Sequence, residues 1–193
     1  MINTHFYNIF MMPLEKFAGL DRCRKALIPL ASGNVLEAGP GTGANARYYN
    51  WDAVSSLVLA APEADTQGLP EKIYRKGCVK YVEADVQELP FDSNTFDTVV
   101  ATLLFCSVPD PDKGLSELRR VLKPGGKYIF LEHVKPAKSA AANFASLATP
   151  CWKRIAGGCH LDRDTGASII KAGFKVITPC LYSKGVFIGG AAQ

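Results

Sequence analysis

Short apolar runs alternate with amphipathic stretches along most of the chain, and each run closes near a small or polar residue. Five of them read as strands: 34–38, 56–61 (Ser-Leu-Val-Leu-Ala-Ala, closed by Pro62), 79–84, 96–102 (Phe-Asp-Thr-Val-Val-Ala-Thr) and 127–132 (Lys-Tyr-Ile-Phe-Leu-Glu). Their apolar residues run nearly unbroken, as in a sheet covered on both faces. Residues 112–122, with Leu115, Leu118, Val121 and Leu122 on one stripe, predict a helix packed against that sheet and stopped by Lys123-Pro124-Gly125-Gly126. Further helices are predicted over 62–76, around Leu69 and Ile73 and ended by Gly77, and over 163–172, ended by Gly173. Residues 174–179 and 185–190 then predict a hairpin at the sheet's edge. The whole is an α/β sandwich: a three-layer, doubly wound, mostly parallel sheet of seven strands with an antiparallel last strand. Such a sheet binds ligands at the carboxyl ends of its strands.

The most informative string is 35–43, Val-Leu-Glu-Ala-Gly-Pro-Gly-Thr-Gly. Gly39, Gly41 and Gly43, spaced by Pro40 and Thr42, let the backbone turn sharply off a strand and let a ligand approach where a Cβ would collide. Residues 44–49 are expected to open a helix whose amide end favours an anion. The spacing of Gly39, Gly41 and Ala44 also meets the loose dinucleotide fingerprint. Glu37 separates the two readings. A dinucleotide site needs no carboxylate two residues before its first glycine, whereas an S-adenosylmethionine site needs an anion for the charged methionine moiety.

Charge and cysteine content narrow the classes. The 193 residues carry 22 basic and 18 acidic side chains, net +4, with the basic residues scattered, which argues against a nucleic-acid partner. The length suits a single domain over 1–193. Residues 1–20 lack the marks of a secretory leader, and no apolar stretch nears the ~18 residues that span a bilayer. The expectation is a cytoplasmic protein with at most peripheral membrane contact. Six cysteines show no zinc-ligand spacing, so no metal site is expected.

Four motifs in order resemble the class I S-adenosylmethionine-dependent methyltransferases, whose sheet is Rossmann-like. They are 35–43, the acid-bearing Ala84-Asp85-Val86, the run from Leu89-Pro90-Phe91 to Phe96-Asp97-Thr98-Val99, and Leu118-Arg119-Arg120-Val121-Leu122-Lys123-Pro124-Gly125-Gly126. The resemblance implies that the glycine turn holds the methionine part, that Asp85 accepts from the adenine amino group, and that the Val86 amide donates to the ring. Thr102 and Leu103, at the end of the fourth strand, would lie by the transferable methyl group. The family places an acid for the ribose hydroxyls where this chain has Ala61. Losing a bidentate charged hydrogen bond costs ~1.5–3 kcal/mol, roughly 10-fold to 150-fold in affinity. Glu63 is the candidate replacement, or else an ordinary acid in the first turn of a helix.

Leu103-Leu104-Phe105-Cys106-Ser107-Val108, Glu132-His133-Val134 and the string 157–165, with Gly-Cys-His-Leu-Asp-Arg-Asp at its centre, resemble one branch of that class. It holds alkyl-thiol methyltransferases and small relatives described as phospholipid N-methyltransferases; its human members carry an N-terminal membrane anchor, for which no apolar stretch is present here. The branch implies methyl transfer to a small-molecule acceptor, thiol favoured, with His133 or His160 as base. An arsenite or phospholipid-amine acceptor and a noncatalytic cofactor-binding protein are the alternatives, the last suggested by Ala61. Substrate contacts are expected from Tyr7, Cys106, Trp152 and Cys159. Residues 1–30, rich in aromatic and Met positions over 1–18, are expected to form a helical lid, and 135–160, the least regular long stretch, a substrate-side insertion. Subunit number is not legible in the sequence.

Overall fold

The computed structural model describes residues 19–62, 77–183 and 185–193. Residues 1–18 of the lid expected over 1–30 and the helix expected over 62–76, beyond Pro62, lie outside them, as do Tyr7 and Glu63. Seven strands form one sheet: β1 (Gly33–Ala38), β2 (Val54–Ala61), β3 (Val79–Glu83), β4 (Phe96–Thr102), β5 (Leu122–His133), β6 (Val176–Ser183) and β7 (Phe187–Ala192). Their order is β3-β2-β1-β4-β5-β7-β6. Strands β1 to β5 run parallel, and β7 lies antiparallel to both β5 and β6. The order reverses between β1 and β4, which pair with each other, so the crevice opens at the ends carrying Ala38 and Thr102.

Alternation along the strands divides the core. Leu36, Ala38, Val99, Ala101, Tyr128 and Phe130 pack on one face under α2 (Pro111–Val121), which buries Leu115, Leu118 and Val121. Val35, Leu57, Leu59, Val100 and Ile129 pack on the other with Leu27 of α1 (Leu20–Leu27) and with Ile28. Glu37 falls on this second face, two residues from Val35, so the fold itself buries it. Helix α2 starts where predicted because Asp110 caps it, its carboxylate accepting from the Lys113 amide at 3.0 Å, with Pro111 in the first turn.

Four boundaries differ from expectation, each for a local reason. Residues 44–49 form only a 3-10 turn, Ala46–Tyr48, because Tyr49 leaves helical geometry (φ −60°, ψ 135°) and buries its ring in the core. The Lys-Pro-Gly-Gly segment does not separate helix from strand: β5 begins at Leu122, and its register against β4 slips between Phe96 and Thr98, so the extra residues bulge out at Gly125 (φ 74°). Within 135–160, where no regular element was expected, α3 (Ser139–Ile155) runs for 17 residues. Its small residues give little periodic signal, and Pro150 reads as a breaker. The hairpin strands lie about two residues further on, before which come α4 (Thr165–Lys171) and Phe174, the latter packed on Tyr128.

Candidate active site

The glycine turn leaves β1 with left-handed backbone at Gly39, Gly41 and Gly43 (φ 65°, 50° and 72°). A Cβ on Gly39 would stand 2.7 Å from Leu104 Cδ1, so that glycine serves close packing against the turn after β4. Gly41 is different: a Cβ there would meet nothing within 4 Å, so its bareness faces open crevice. The turn closes with the Gly43 amide donating to the Pro40 carbonyl at 2.9 Å, leaving Thr42 half-buried.

Beneath this turn Glu37 is 3% exposed. The Tyr49 hydroxyl donates to its Oε2 at 2.8 Å and the Asn45 amide to its Oε1 at 2.8 Å. Asn45 also donates to Thr102 Oγ1 at 3.0 Å, tying the ends of β1 and β4 together, and accepts from Arg24 Nε at 3.2 Å. Burial holds the Glu37 carboxyl above its ordinary range, against the Tyr49 and Asn45 hydrogen bonds and the Arg24 charge. The protein therefore supplies the partners that a buried carboxylate requires, and each oxygen keeps a further lone pair. Arg24, Asn45 and Tyr49 carry no motif of their own in the sequence.

At the second and third strand ends, Ala61 is buried, and its carbonyl accepts from the Ala84 amide and from the Tyr81 hydroxyl. Its methyl offers nothing to a ribose. Asp85 is exposed and caps its own turn, accepting from the Gln87 amide at 2.9 Å and from the Gln87 side chain at 2.9 and 3.1 Å. Gln87 in turn accepts from the Asp110 amide at 2.9 Å. Val86 is buried against α2, which comes so close that a Cβ on Gly114 would sit 3.3 Å from Val86 and 2.9 Å from Phe105.

The turn after β4 brings together residues from far apart. Leu103 adopts φ 55°, and the three amides that follow point at Glu132 near the end of β5: Leu104 and Phe105 donate to Oε1 at 3.1 Å each, Cys106 to Oε2 at 3.3 Å. The Arg163 guanidinium donates to the Phe105 and Val108 carbonyls at 2.6 and 2.7 Å, and the His160 amide to the Cys106 carbonyl at 2.8 Å. Sequence reading passed over both Glu132 and Arg163 as individual residues. Cys106 and Cys159 pack with Ala156 and Trp152 in one small cluster. The neighbouring Cys159 raises the Cys106 thiol, helped by burial and the Glu132 charge, and the same proximity lowers Cys159, with Trp152 and then Arg163 contributing.

The two candidate bases differ in surroundings. His133 is largely buried, edge-on to Phe187 at 5.2 Å, and burial lowers its pKa. His160 is lowered by burial and then by Arg163 and Lys153, with the Asp162 carboxylate 3.7 Å away opposing. Both are thus biased toward the neutral imidazole that accepts a proton. His133 also lines an apolar cleft of about 220 Å³ with Pro136, Phe144, Ala145, Leu161 and Val186. Cys106, Trp152 and Cys159 belong to the neighbouring cluster and do not line it. Among the described residues, no group of three or more His, Cys, Asp and Glu could hold a metal ion, and no helix is long and apolar enough to cross a membrane.

Residues 36–130 match the family model described as a methyltransferase domain. That match and the sheet order together give the chain the class I methyltransferase fold. Thiol S-methyltransferase TMT1B of Rattus norvegicus is 39% identical over 150 residues, covering 74% of this chain and 60% of that protein. Its Homo sapiens counterpart is 36% identical over 154 residues, covering 76% and 63%. The chain thus spans less than two thirds of these relatives. Among solved structures, an S-adenosylmethionine dependent methyltransferase from Mesorhizobium loti superposes with a TM-score of 0.65 at 15% identity, covering 91% of this chain and 97% of that one. The cyclase SpnF superposes equally well, TM-score 0.65 at 22% identity, covering 88% and 62%. At these identities the likeness shows the fold alone.

S-adenosylmethionine is the methyl donor that the methyltransferase family implies, and the domain fits it unevenly. The bare face of Gly41 offers the close backbone approach, and Asp85 stands at the third strand end with exposed carboxylate oxygens. The second strand end, at Ala61, provides no side-chain acceptor.

Proposed function

We propose that this domain transfers the methyl group of S-adenosylmethionine to a small-molecule acceptor, with an apolar thiol favoured. The observation that carries this reading is the apolar cleft beside a neutral His133, at the carboxyl end of the strand next to the glycine turn's own neighbour β4. The names of the TMT1B relatives support the thiol preference.

When bound, S-adenosylmethionine supplies an electrophilic methyl carbon on sulfur. The residues that would hold it are Gly39, Pro40, Gly41, Thr42 and Gly43 at the methionine part, with Glu37 supplying negative charge beneath them, Asp85 and Val86 at the adenine, and Thr102 and Leu103 by the methyl group. Glu63 is the candidate that would take the ribose where the strand itself offers only Ala61. The apolar cleft walls Leu161 and Val186, with Phe144 at the exposed rim, align the acceptor, and positioning of that kind supplies up to ~7–11 kcal/mol of a displacement barrier. His133 takes the proton of an acceptor thiol; His160, more exposed and beside Asp162, is the second candidate. Tyr7, Cys106, Trp152 and Cys159 are proposed to shape the acceptor's surroundings.

A panel of thiols, amines and phospholipids assayed with labelled donor tests the reading. Turnover should be greatest with apolar thiols, and His133→Ala should lower kcat at neutral pH by about 10²-fold or more while leaving cofactor affinity within threefold. Turnover of amines alone would remove the thiol assignment. Donor binding without transfer to any acceptor would favour the noncatalytic alternative.

A further inference from the structure

Glu132 stands apart from the groups assigned above. It is wholly buried, and among the described residues no side chain donates a hydrogen bond to it: its two oxygens are occupied by three successive main-chain amides, Leu104, Phe105 and Cys106. Successive amides of an extended chain point to opposite sides, so three can converge on one carboxyl only where the chain coils sharply, and here it does so through the left-handed Leu103. The carbonyl side of the same turn is held by Arg163 and by the His160 amide. The turn is therefore clamped from both sides by segments more than 25 and more than 50 residues away. Its outer surface meets Gly39 through Leu104.

We propose that Glu132 is a positioning residue: as a carboxylate it draws the amides of residues 104–106 into the shape that seats donor and acceptor, and on protonation it relaxes that turn. An ionised carboxyl offers only acceptors to the three amides, whereas a protonated one carries an O–H that points at donors. The switch is placed near neutrality, because burial raises the carboxyl to about 8 against the three amide bonds, with Cys159 adding to the rise. The groups facing it are Cys106 and Cys159, the Tyr128 hydroxyl, which its charge raises further, and His133 next in the chain; Arg163 acts from the far side of the turn. None of these is a cation in contact with the carboxyl.

The kinetic part of this proposal rests on the methyl-transfer reading; the structural part does not. Hydrogen exchange of the 104–106 amides through local opening, in which Glu132 loses their bonds but stays buried, followed by mass spectrometry from pH 6 to 10 and corrected for intrinsic rates, should show protection rising at least tenfold through an ionisation near pH 8, opposite in sign to the change in global stability. Glu132→Gln should abolish that pH dependence, and Glu132→Asp should partly restore it. With an aromatic thiol ionised throughout the range as acceptor, kcat should rise through the same ionisation in the natural protein and lose it in Glu132→Gln, with the KM for donor within threefold. Flat protection across pH in the natural protein overturns the proposal whether or not the variants fold. Flat kcat alongside pH-dependent protection overturns its positioning role. Pronounced protection changes with no turnover of any acceptor would sustain the clamp and sink the methyl-transfer reading instead.

Discussion

Two buried glutamates, Glu37 at the end of β1 and Glu132 at the end of β5, solve the same electrostatic problem in opposite ways. Each lies on a strand whose neighbours are apolar, and burial lifts each carboxyl above its ordinary range. Glu37 is served by side chains, the Tyr49 hydroxyl and the Asn45 amide, with the Arg24 charge behind them. Glu132 is served by main-chain amides. Side-chain partners can be lost one at a time without moving the backbone; main-chain partners bind the carboxyl to the path of the chain itself. The first arrangement shapes a charge, and the second shapes a turn.

The sharpest separation of the two regions comes from Gly41, which belongs to the Glu37 side alone. Gly41→Val should abolish donor binding in calorimetry, since its two methyls would occupy the open crevice, yet lower stability by only ~1–2 kcal/mol, the cost of a left-handed non-glycine residue. Loss of binding together with unfolding would show that the turn is structural and not a ligand cradle.

Removing the carboxylates themselves should cost folding on both sides. Glu37→Ala strands the Tyr49 hydroxyl and one N–H of the Asn45 amide in the core, worth about 2–6 kcal/mol at ~1–3 kcal/mol for each unpaired buried group. In urea denaturation, Tyr49→Phe in the Glu37→Ala background should recover part of that loss. No recovery would mean that the hydroxyl finds another partner.

The pH dependence of stability comes next in size. A carboxyl whose folded pKa is raised contributes stability that is complete below the unfolded value and is lost as pH rises through the folded one. For Glu132 the window runs from the ordinary glutamate value of 4.5 up to about 8. At 1.36 kcal/mol per unit, the decline over it is on the order of several kcal/mol. Urea midpoints measured from pH 4 to 9 should fall across this window, and Glu132→Gln should flatten the slope more than Glu37→Gln does. Equal flattening would erase the distinction drawn between the two sites.

The smallest effect concerns the strand end that neither glutamate serves. Ala61→Asp should tighten donor binding by up to about 10-fold if the ribose lacks a partner, the lower end of what a charged hydrogen bond contributes. Glu63→Gln should weaken it if Glu63 has assumed that role. A change below threefold in both variants would show that the ribose is held elsewhere.

Much of this was legible in particular residues. The glycine triplet, the apolar runs and the stripe of α2 located the sheet, its crevice and the helix covering it, because strand and helix periods are local properties. Glu37 was legible as an anomaly, a charge on an apolar strand, although its partners were not. Glu132 was hidden by its context in Lys-Tyr-Ile-Phe-Leu-Glu, where a terminal acid reads as the strand's polar end. The Lys-Pro-Gly-Gly bulge and α3 were misread because Pro and Gly signal a break without saying whether pairing resumes beyond it.

By itself, then, the sequence determined what short-range stereochemistry can encode: the order of the strands, the sharp turn after β1 and the helix α2. Which groups meet at the crevice was decided only by the tertiary structure. Arg24, Asn45 and Tyr49 converge on Glu37, and residues 104–106, 160 and 163 converge around Glu132's turn, because parallel strands bring the ends of distant segments to one edge of the sheet. Hydrogen bonds across such separations leave no periodic trace in the chain, since each depends on where the whole sheet places its ends.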